Sequence, residues 1–411
     1  MKTIQLSRRT VLASVPFIVA PLMARATPVT TLNWFMWSGS DAEVAAWQHL
    51  CDMVHAKHPD ITVNFMTASW SDYWTKLPAL AASGQLPDII SLQSMRAPGF
   101  ASLMEPLGPY IKSTGFDVGA FDPTIIRGLS VGDDLRALPY DYGPWITYYN
   151  ADMFQKAGLK LPGAGWRNDD FVKQARALTK GSVYGCAVSV PDAFLSYAAS
   201  DGASYLNQQG QLDLTNPALE AAFTSYAALV GKDHVAPLFP SSSMASAQQA
   251  NGDFTAGNIG MYVDGPWRLI DVAASAKFRV GLAPLPAGRA GSVSLVAGSG
   301  FGIARSSHHK QAAWKAIQVL TSPEAEAYLA AQGRAFPARI AQQAGWYNVT
   351  ANKVVGAKAA IDEALKAAKP YETTANWSTV DTLFERYAPL AFGGERNPAQ
   401  VLKTIQQLAA E

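Results

Sequence analysis

The chain has 411 residues, 49% hydrophobic and 16% charged, with 33 basic against 32 acidic side chains. That length exceeds one ordinary core and points to two lobes. The near-even charge, with no basic run or stripe, excludes the electrostatic footprint of a nucleic-acid binder.

The first 26 residues read as an export signal. Lys2, Arg8 and Arg9 precede the apolar run 11–22, and Ala24-Arg25-Ala26 has the A-x-A form of a cleavage site. Ser7-Arg8-Arg9-Thr10-Val11-Leu12 resembles the twin-arginine motif, with Val where Phe is usual. An ordinary signal carrying two arginines is the other reading. Removal of residues 1–26 takes four basic residues and no acid, so the net charge of +1 becomes −3. No further stretch of ~18 apolar residues follows that could span a bilayer.

Beyond residue 30 the elements alternate. Residues 31–37 are an apolar strand. Ser40 and Asp41 open a helix whose Val44, Trp47, Leu50, Cys51 and Val54 fall at helical spacing, ending before Pro59. Ile61, Val63 and Phe65 alternate as a strand. Ser71 starts a second helix, which Gly84 stops, and residues 87–90 form a short buried strand. This βαβαβ order predicts a parallel sheet covered by helices. Residues 139–150 read as an aromatic strand broken by Gly143-Pro144, followed by helices around 152–157 and 171–178. The pattern restarts with a strand over 183–190, giving a second α/β lobe. The last third is helix-rich, with helices at 308–320, after Ser322-Pro323 and after Asn397-Pro398. No flexible linker separates the lobes, so several stiff crossings are expected.

Catalytic and metal-binding patterns are missing from the sequence. No G-x-S-x-G, P-loop, G-x-G-x-x-G or H-E-x-x-H is present. His55 and His58 have no partner at a zinc spacing, and the pairs Asp133-Asp134 and Asp169-Asp170 sit in turn-like sequence. Neither metal nor cofactor is expected, and no catalysis. Cys51 and Cys186 are expected to be reduced and buried. What stands out is aromatic: 11 Trp and 15 Tyr, many beside Gly, Pro or Ser, as in Trp37-Ser38-Gly39, Trp70-Ser71, Gly265-Pro266-Trp267 and Gly345-Trp346-Tyr347. Flat rings stack on the C–H faces of sugars, and planar polar groups take the hydroxyls.

Four stretches, Leu80–Ile90, Pro139–Leu159, Phe254–Trp267 and Gly298–Arg339, resemble the family 1 extracellular solute-binding proteins of ABC importers, which include maltose- and glycerol-phosphate-binding proteins. The resemblance implies the α/β two-lobe periplasmic-binding-protein fold (type II, Venus-flytrap), helix-rich towards the C-terminus. One lobe comprises residues 27–141 plus 301–321 and the other 144–298 plus 322–411. Crossings fall near 141–145, 298–302 and 321, and hinge bending closes the lobes on a ligand. It implies a monomeric periplasmic protein that hands a sugar, oligosaccharide or glycoside to membrane permease subunits. An anionic polyol is the alternative ligand, and a secreted carbohydrate-active enzyme a more distant reading. By the same resemblance Trp267 stacks on the ligand. Ser38 and Ser40 follow the first strand as polar contacts, Tyr73 is a loop aromatic, and Gln93 follows the Pro87–Ile90 strand. Tyr142 and Trp145 lie on the first crossing, Asp192 on the second lobe's rim and Gly298 on the second crossing. Trp346 and Tyr347 match the Gly-aromatic-Tyr of glycerol-phosphate binders. Trp377 and Arg386 lie where maltose-type members supply an aromatic and an arginine. Arg268 reads as a solvent-facing or interlobe residue.

Overall fold

The computed structural model describes Met1 and residues 29–240, 245–350 and 353–411; the expected export signal lies outside the described residues. The chain opens as expected: β1 (Thr30–Trp37), α1 (Asp41–Lys57), β2 (Ile61–Ala68), α2 (Trp70–Ala82) and β3 (Ile89–Gln93). Ser40 caps α1 by accepting a hydrogen bond from the Glu43 backbone N–H, and Ala46, Trp47, Leu50, Cys51 and Val54 form its buried face. β1 pairs in parallel with β2 and β3, as a βαβ unit requires.

The aromatic segment 138–150 splits at Pro144 into β4 (Leu138–Pro144) and β5 (Ile146–Asn150), which belong to different sheets. Pro144 offers no N–H to continue a ladder, and the break lets the chain cross between layers. Further on come α3 (Asp192–Ser200), β6 (Met261–Asp264), β7 (Val280–Ala283), β8 (Leu295–Ile303), β9 (Lys369–Pro370) and α4 (Trp377–Phe392). The larger sheet runs β9-β8-β3-β1-β2, with β4 antiparallel to β8. The smaller is an antiparallel β6-β5-β7. The sheet layers and the helices covering them make the two-lobe α/β fold.

The strand expected over 183–190 is a correction. Its backbone runs beside β6, with the Ala187 N–H bonded to the Met261 carbonyl, but only isolated bridges form, from Val183 to Lys180 and from Tyr184 to Ile259. Gly185 lies so close to the preceding helix that a Cβ would lie 1.8 Å from the Ala175 carbonyl oxygen, and its N–H goes to Thr179 Oγ1 and that of Cys186 to the Val235 carbonyl instead of to a ladder. The helix Pro323–Ala331, expected in the second lobe, packs on α1 and on the helix Lys310–Leu320.

Two buried clusters form the cores. Trp34 and Trp47 meet edge to face, and Tyr140 stacks on Phe301 with ring centroids 4.7 Å apart. The other cluster joins Phe194, Phe223, Tyr226, Phe384 and Phe392. Much of the aromatic load is thus core packing. Cys51 and Cys186 are both buried and unbridged, and burial pushes the Cys51 thiol up to about 12. Among the described residues no helix is long and apolar enough to cross a membrane.

Candidate functional site

A cleft of about 350 Å³ opens where the C-terminal ends of β1 and β3 meet the end of β6 and the first turns of α2, α3 and α4. Ligands of α/β proteins settle at such strand ends, and the volume lies in the range of small-molecule sites.

One wall comes from the opening βαβ unit. Trp37 and Ser38 end β1, Gln93 ends β3, and Trp70 and Trp74 start α2. Trp37 packs edge-on against Trp70 at 5.0 Å and beside Trp74 at 5.4 Å. Trp70 remains half-buried. The opposite wall holds Trp267, also half-buried. Its indole N–H donates to Asp264 Oδ1 at 2.8 Å, and Trp145 meets its edge at 5.3 Å. The ring folds over Gly265, where a Cβ would lie 2.1 Å from it, and the Tyr148 hydroxyl donates to the Gly265 carbonyl at 2.7 Å. The Gly-Pro break therefore fixes an indole face towards the cleft. On the floor, a Cβ at Gly298 would lie 2.3 Å from the Asp141 carbonyl oxygen, so β8 can approach β4 there only with glycine. α4 contributes Ser378, Asp381, Thr382 and Glu385, spaced to share one helix face.

Among the described residues, seven carboxyls and three guanidiniums line the cleft, with no lysine or histidine. Each arginine is committed to an acid. Arg96 pairs with Asp381, donates to Ser378 Oγ at 2.7 Å and lies over the Trp74 ring at 4.6 Å. Arg268 holds Asp264 at 3.0 Å and Asp271 at 3.5 Å. Arg334 pairs with Glu43 and reaches Asp141 at 3.4 Å. Among the described residues, Asp192 and Glu385 have no basic partner of their own. Asp192 accepts from the Tyr371 hydroxyl at 2.9 Å, and Glu385 takes the backbone N–H and the hydroxyl of Ser246. Burial, then repulsion from Asp381, pushes each of these carboxyls up to about 8. Ser38 Oγ, Trp74 Nε1, Gln93 Oε1 and Asp271 Oδ1 are buried on the walls without a hydrogen-bond partner among the described residues.

The Asp192 carboxyl has a stability consequence. Its pKa rises from an ordinary 3.8 to about 8 on folding. Between those values the unfolded chain releases the proton while the folded chain keeps it, so this group's contribution falls as pH rises through the window. Asp192→Asn, which cannot titrate, is expected to raise the ligand-free unfolding temperature at pH 8 and leave it near wild type at pH 4. Calorimetry at the two pH values checks this; a variant no more stable than wild type at pH 8 contradicts it.

Of the residues named from sequence, Trp267, Ser38, Gln93, Trp145, Asp192 and Gly298 line the cleft. The others do not. Ser40 is spent capping α1. Tyr73 is fully buried, stacks on Phe35 and donates to the Ser91 carbonyl at 2.6 Å. Tyr142 turns to Phe336 and accepts from Gln343 at 3.2 Å. Trp346 is fully buried against Phe336. Tyr347 donates to Asp362 at 3.0 Å, outside the cleft. Trp377 is buried between Tyr205 and Tyr371. Arg386 is exposed on α4, one position round from Glu385, which faces the cleft. Of the two readings of Arg268, the solvent-facing one is corrected: the residue lines the cleft within its double ion pair. Trp70 and the arginines Arg96 and Arg334 were missed. Trp70-Ser71 did stand among the loop-edge aromatics; the arginines carry no local signal, because their partners are distant in sequence.

The model of the bacterial extracellular solute-binding protein family matches residues 38–327. A putative binding protein of Brucella abortus is 28% identical over 286 residues, covering 64% of this chain and 66% of the relative. The lactose-binding protein of Rhizobium radiobacter is 27% identical over 238 residues, 54% of this chain and 53% of its own length. The chain thus spans just under two thirds and about half of these two relatives. An ABC substrate-binding protein of Listeria monocytogenes, solved in complex with cycloalternan, superposes with a TM-score of 0.84 at 23% identity, over 93% of this chain and 98% of that one. At that identity the likeness shows the fold.

Proposed function

We propose, from the premise that the chain belongs to the bacterial extracellular solute-binding protein family, that its cleft holds a sugar or glycoside carrying no anionic group. The protein is the substrate-binding component of an ABC importer. It is exported, works as a periplasmic monomer, and delivers the ligand to the permease when the lobes close about the crossings near 141–145 and 298–302.

The observation that carries the ligand class is the pairing of indole platforms with arginines already taken. Trp70 and Trp267 line the cleft and are each only half-buried, and an exposed indole suits the C–H faces of a sugar ring. Unpartnered Ser38, Gln93 and Asp271 atoms between them suit hydroxyls, which both donate and accept. An anionic polyol needs a free cation or an open row of amides. Arg96, Arg268 and Arg334 are each engaged by carboxylates, and seven acids surround them. Tyr347, the residue matched to the glycerol-phosphate binders, lies off the cleft, as does Arg386.

A thermal-shift screen of sugars and glycosides tests the reading. A ligand at about 100 times its Kd is expected to stabilise the protein by about 2.7 kcal/mol. The bound sugar is expected to be recovered intact, which separates a carrier from a glycosidase. Stabilisation by glycerol phosphates or sulfonated sugars alone would overturn it.

A further inference from the structure

We propose that the ligand carries a protonated amine, seated against Asp192 inside the aromatic cluster of Trp145, Trp267 and Tyr371. This inference rests on the sugar-or-glycoside reading and narrows it to an amino sugar or amine-bearing glycoside.

The cluster is continuous. Tyr371 donates its hydroxyl to Asp192 Oδ1 at 2.9 Å, Trp145 meets Tyr371 at 5.2 Å, and Trp267 meets Trp145 at 5.3 Å. A carboxyl that shares the cleft lining with the Trp145 and Trp267 indoles can combine the two interactions that select an ammonium over a hydroxyl: a charge-assisted hydrogen bond and attraction to ring faces. The charge balance agrees. Once each arginine is assigned to its acids, Asp192 and Glu385 remain, and Glu385 is occupied by Ser246 at the start of the helix Ser246–Thr255. Both acids line the cleft without a cation among the described residues, but Glu385 is held by the backbone N–H and hydroxyl of Ser246, whereas Asp192 accepts from the Tyr371 hydroxyl alone. A second wall residue needs a donor, which an ammonium supplies as well as a hydroxyl does. Gln93 is 8% exposed, its amide N–H₂ is turned to Met95 Sδ, and its buried Oε1 has no partner. A metal ion is a poorer occupant: among the described residues no three His, Cys, Asp or Glu side chains converge to hold one.

Proton bookkeeping distinguishes this from a neutral ligand. The titratable groups facing Asp192 are Asp381, Glu385, Asp264, Tyr371, Tyr205 and Arg96, and burial leaves its carboxyl protonated at neutral pH. An ammonium arriving there displaces that proton to solvent, so binding at pH 7 releases about one proton and tightens up to about pH 8. A neutral sugar does neither.

Titration calorimetry in two buffers of different ionisation heat, run on the whole protein, provides the test. The probes are glucosamine against glucose, galactosamine against galactose, and chitobiose against cellobiose, together with the sugars that stabilise the protein in the wider screen. The amine member of at least one pair is expected to bind about 10–100-fold tighter than its neutral partner, with proton release. In Asp192→Asn that preference is expected to fall within about threefold, and Tyr371→Phe, which removes only the hydroxyl that positions the carboxyl, is expected to reduce it partly. Neutral sugars that bind at least as well as every amine partner, without proton release, would overturn the amine and leave the sugar cleft standing. If no sugar binds in either form, both readings fall.

Discussion

Trp267→Ala is expected to weaken binding of the cleft's sugar by about 30–100-fold while leaving the protein folded. Three contacts fix the indole before any ligand arrives. Its N–H is held by Asp264, its edge by Trp145, and its face by the backbone of Gly265 beneath it. A platform ordered in advance loses little entropy on binding, so most of the stacking energy appears as affinity. The alanine variant removes that face and leaves Asp264 with its other partners, the Gly265 N–H and Arg268. Little stability should therefore be lost. Trp267→Phe keeps a flat ring without the N–H tether and is expected to fall between wild type and alanine. Calorimetric titration with the sugar found by the screen measures both. An alanine variant that binds as wild type would remove Trp267 from the site.

What the sequence revealed and what it hid follow from the range of each interaction. The opening βαβ unit was legible because its signals are local: Ser40 before α1, the helical spacing of Trp47, Leu50 and Val54, and the alternation in β2. Trp267 was legible because a Gly-Pro break beside a lone indole is itself a local oddity. Tyr73 and Trp346 sit in equally suggestive sequence, yet their rings turn into cores, and ring direction depends on the opposing layer. On α4 the sequence offered an arginine, but the helix turns Glu385 to the cleft and Arg386 to solvent. One residue on a helix shifts direction by about 100°. The stretch 183–190 had a strand's composition, but the N–H groups of Gly185 and Cys186 go to Thr179 Oγ1 and the Val235 carbonyl instead of a ladder. The arginine–carboxylate pairs were the least visible. Arg96 and Asp381 lie 285 residues apart, and Arg334 and Asp141 193.

That last pair carries the largest expected loss of stability. Arg334 is 2% exposed, in the turn after the helix Pro323–Ala331. It pairs with Glu43 of α1, reaches Asp141 of β4, donates to the Tyr140 hydroxyl at 3.1 Å and lies 4.8 Å over the Trp47 ring. Arg334→Met fills much of the volume but strands two buried carboxyls, and such a loss is expected to cost about 3–5 kcal/mol. The pH dependence identifies the cause. Burial raises the Asp141 carboxyl to about 6, and Arg334 is what holds it from rising further. Without the guanidinium the carboxyl keeps its proton to higher pH, so this part of the wild-type advantage grows as pH rises from about 6 towards the variant's higher pKa and vanishes as acid protonates Asp141 in both proteins. Urea unfolding at pH 8 and pH 5 is expected to show a large gap at the first and a clearly smaller one at the second; an equal gap at both would mean that lost packing dominates. The site should feel the same change, because Asp141 Oδ1 accepts the Ser299 N–H at 2.7 Å, and Ser299 with Gly298 forms the cleft floor. A carboxyl that loses its arginine, and with it its fixed orientation, loosens that floor. Arg334→Met is thus expected to weaken sugar binding as well, although Arg334 acts on the floor only through Asp141.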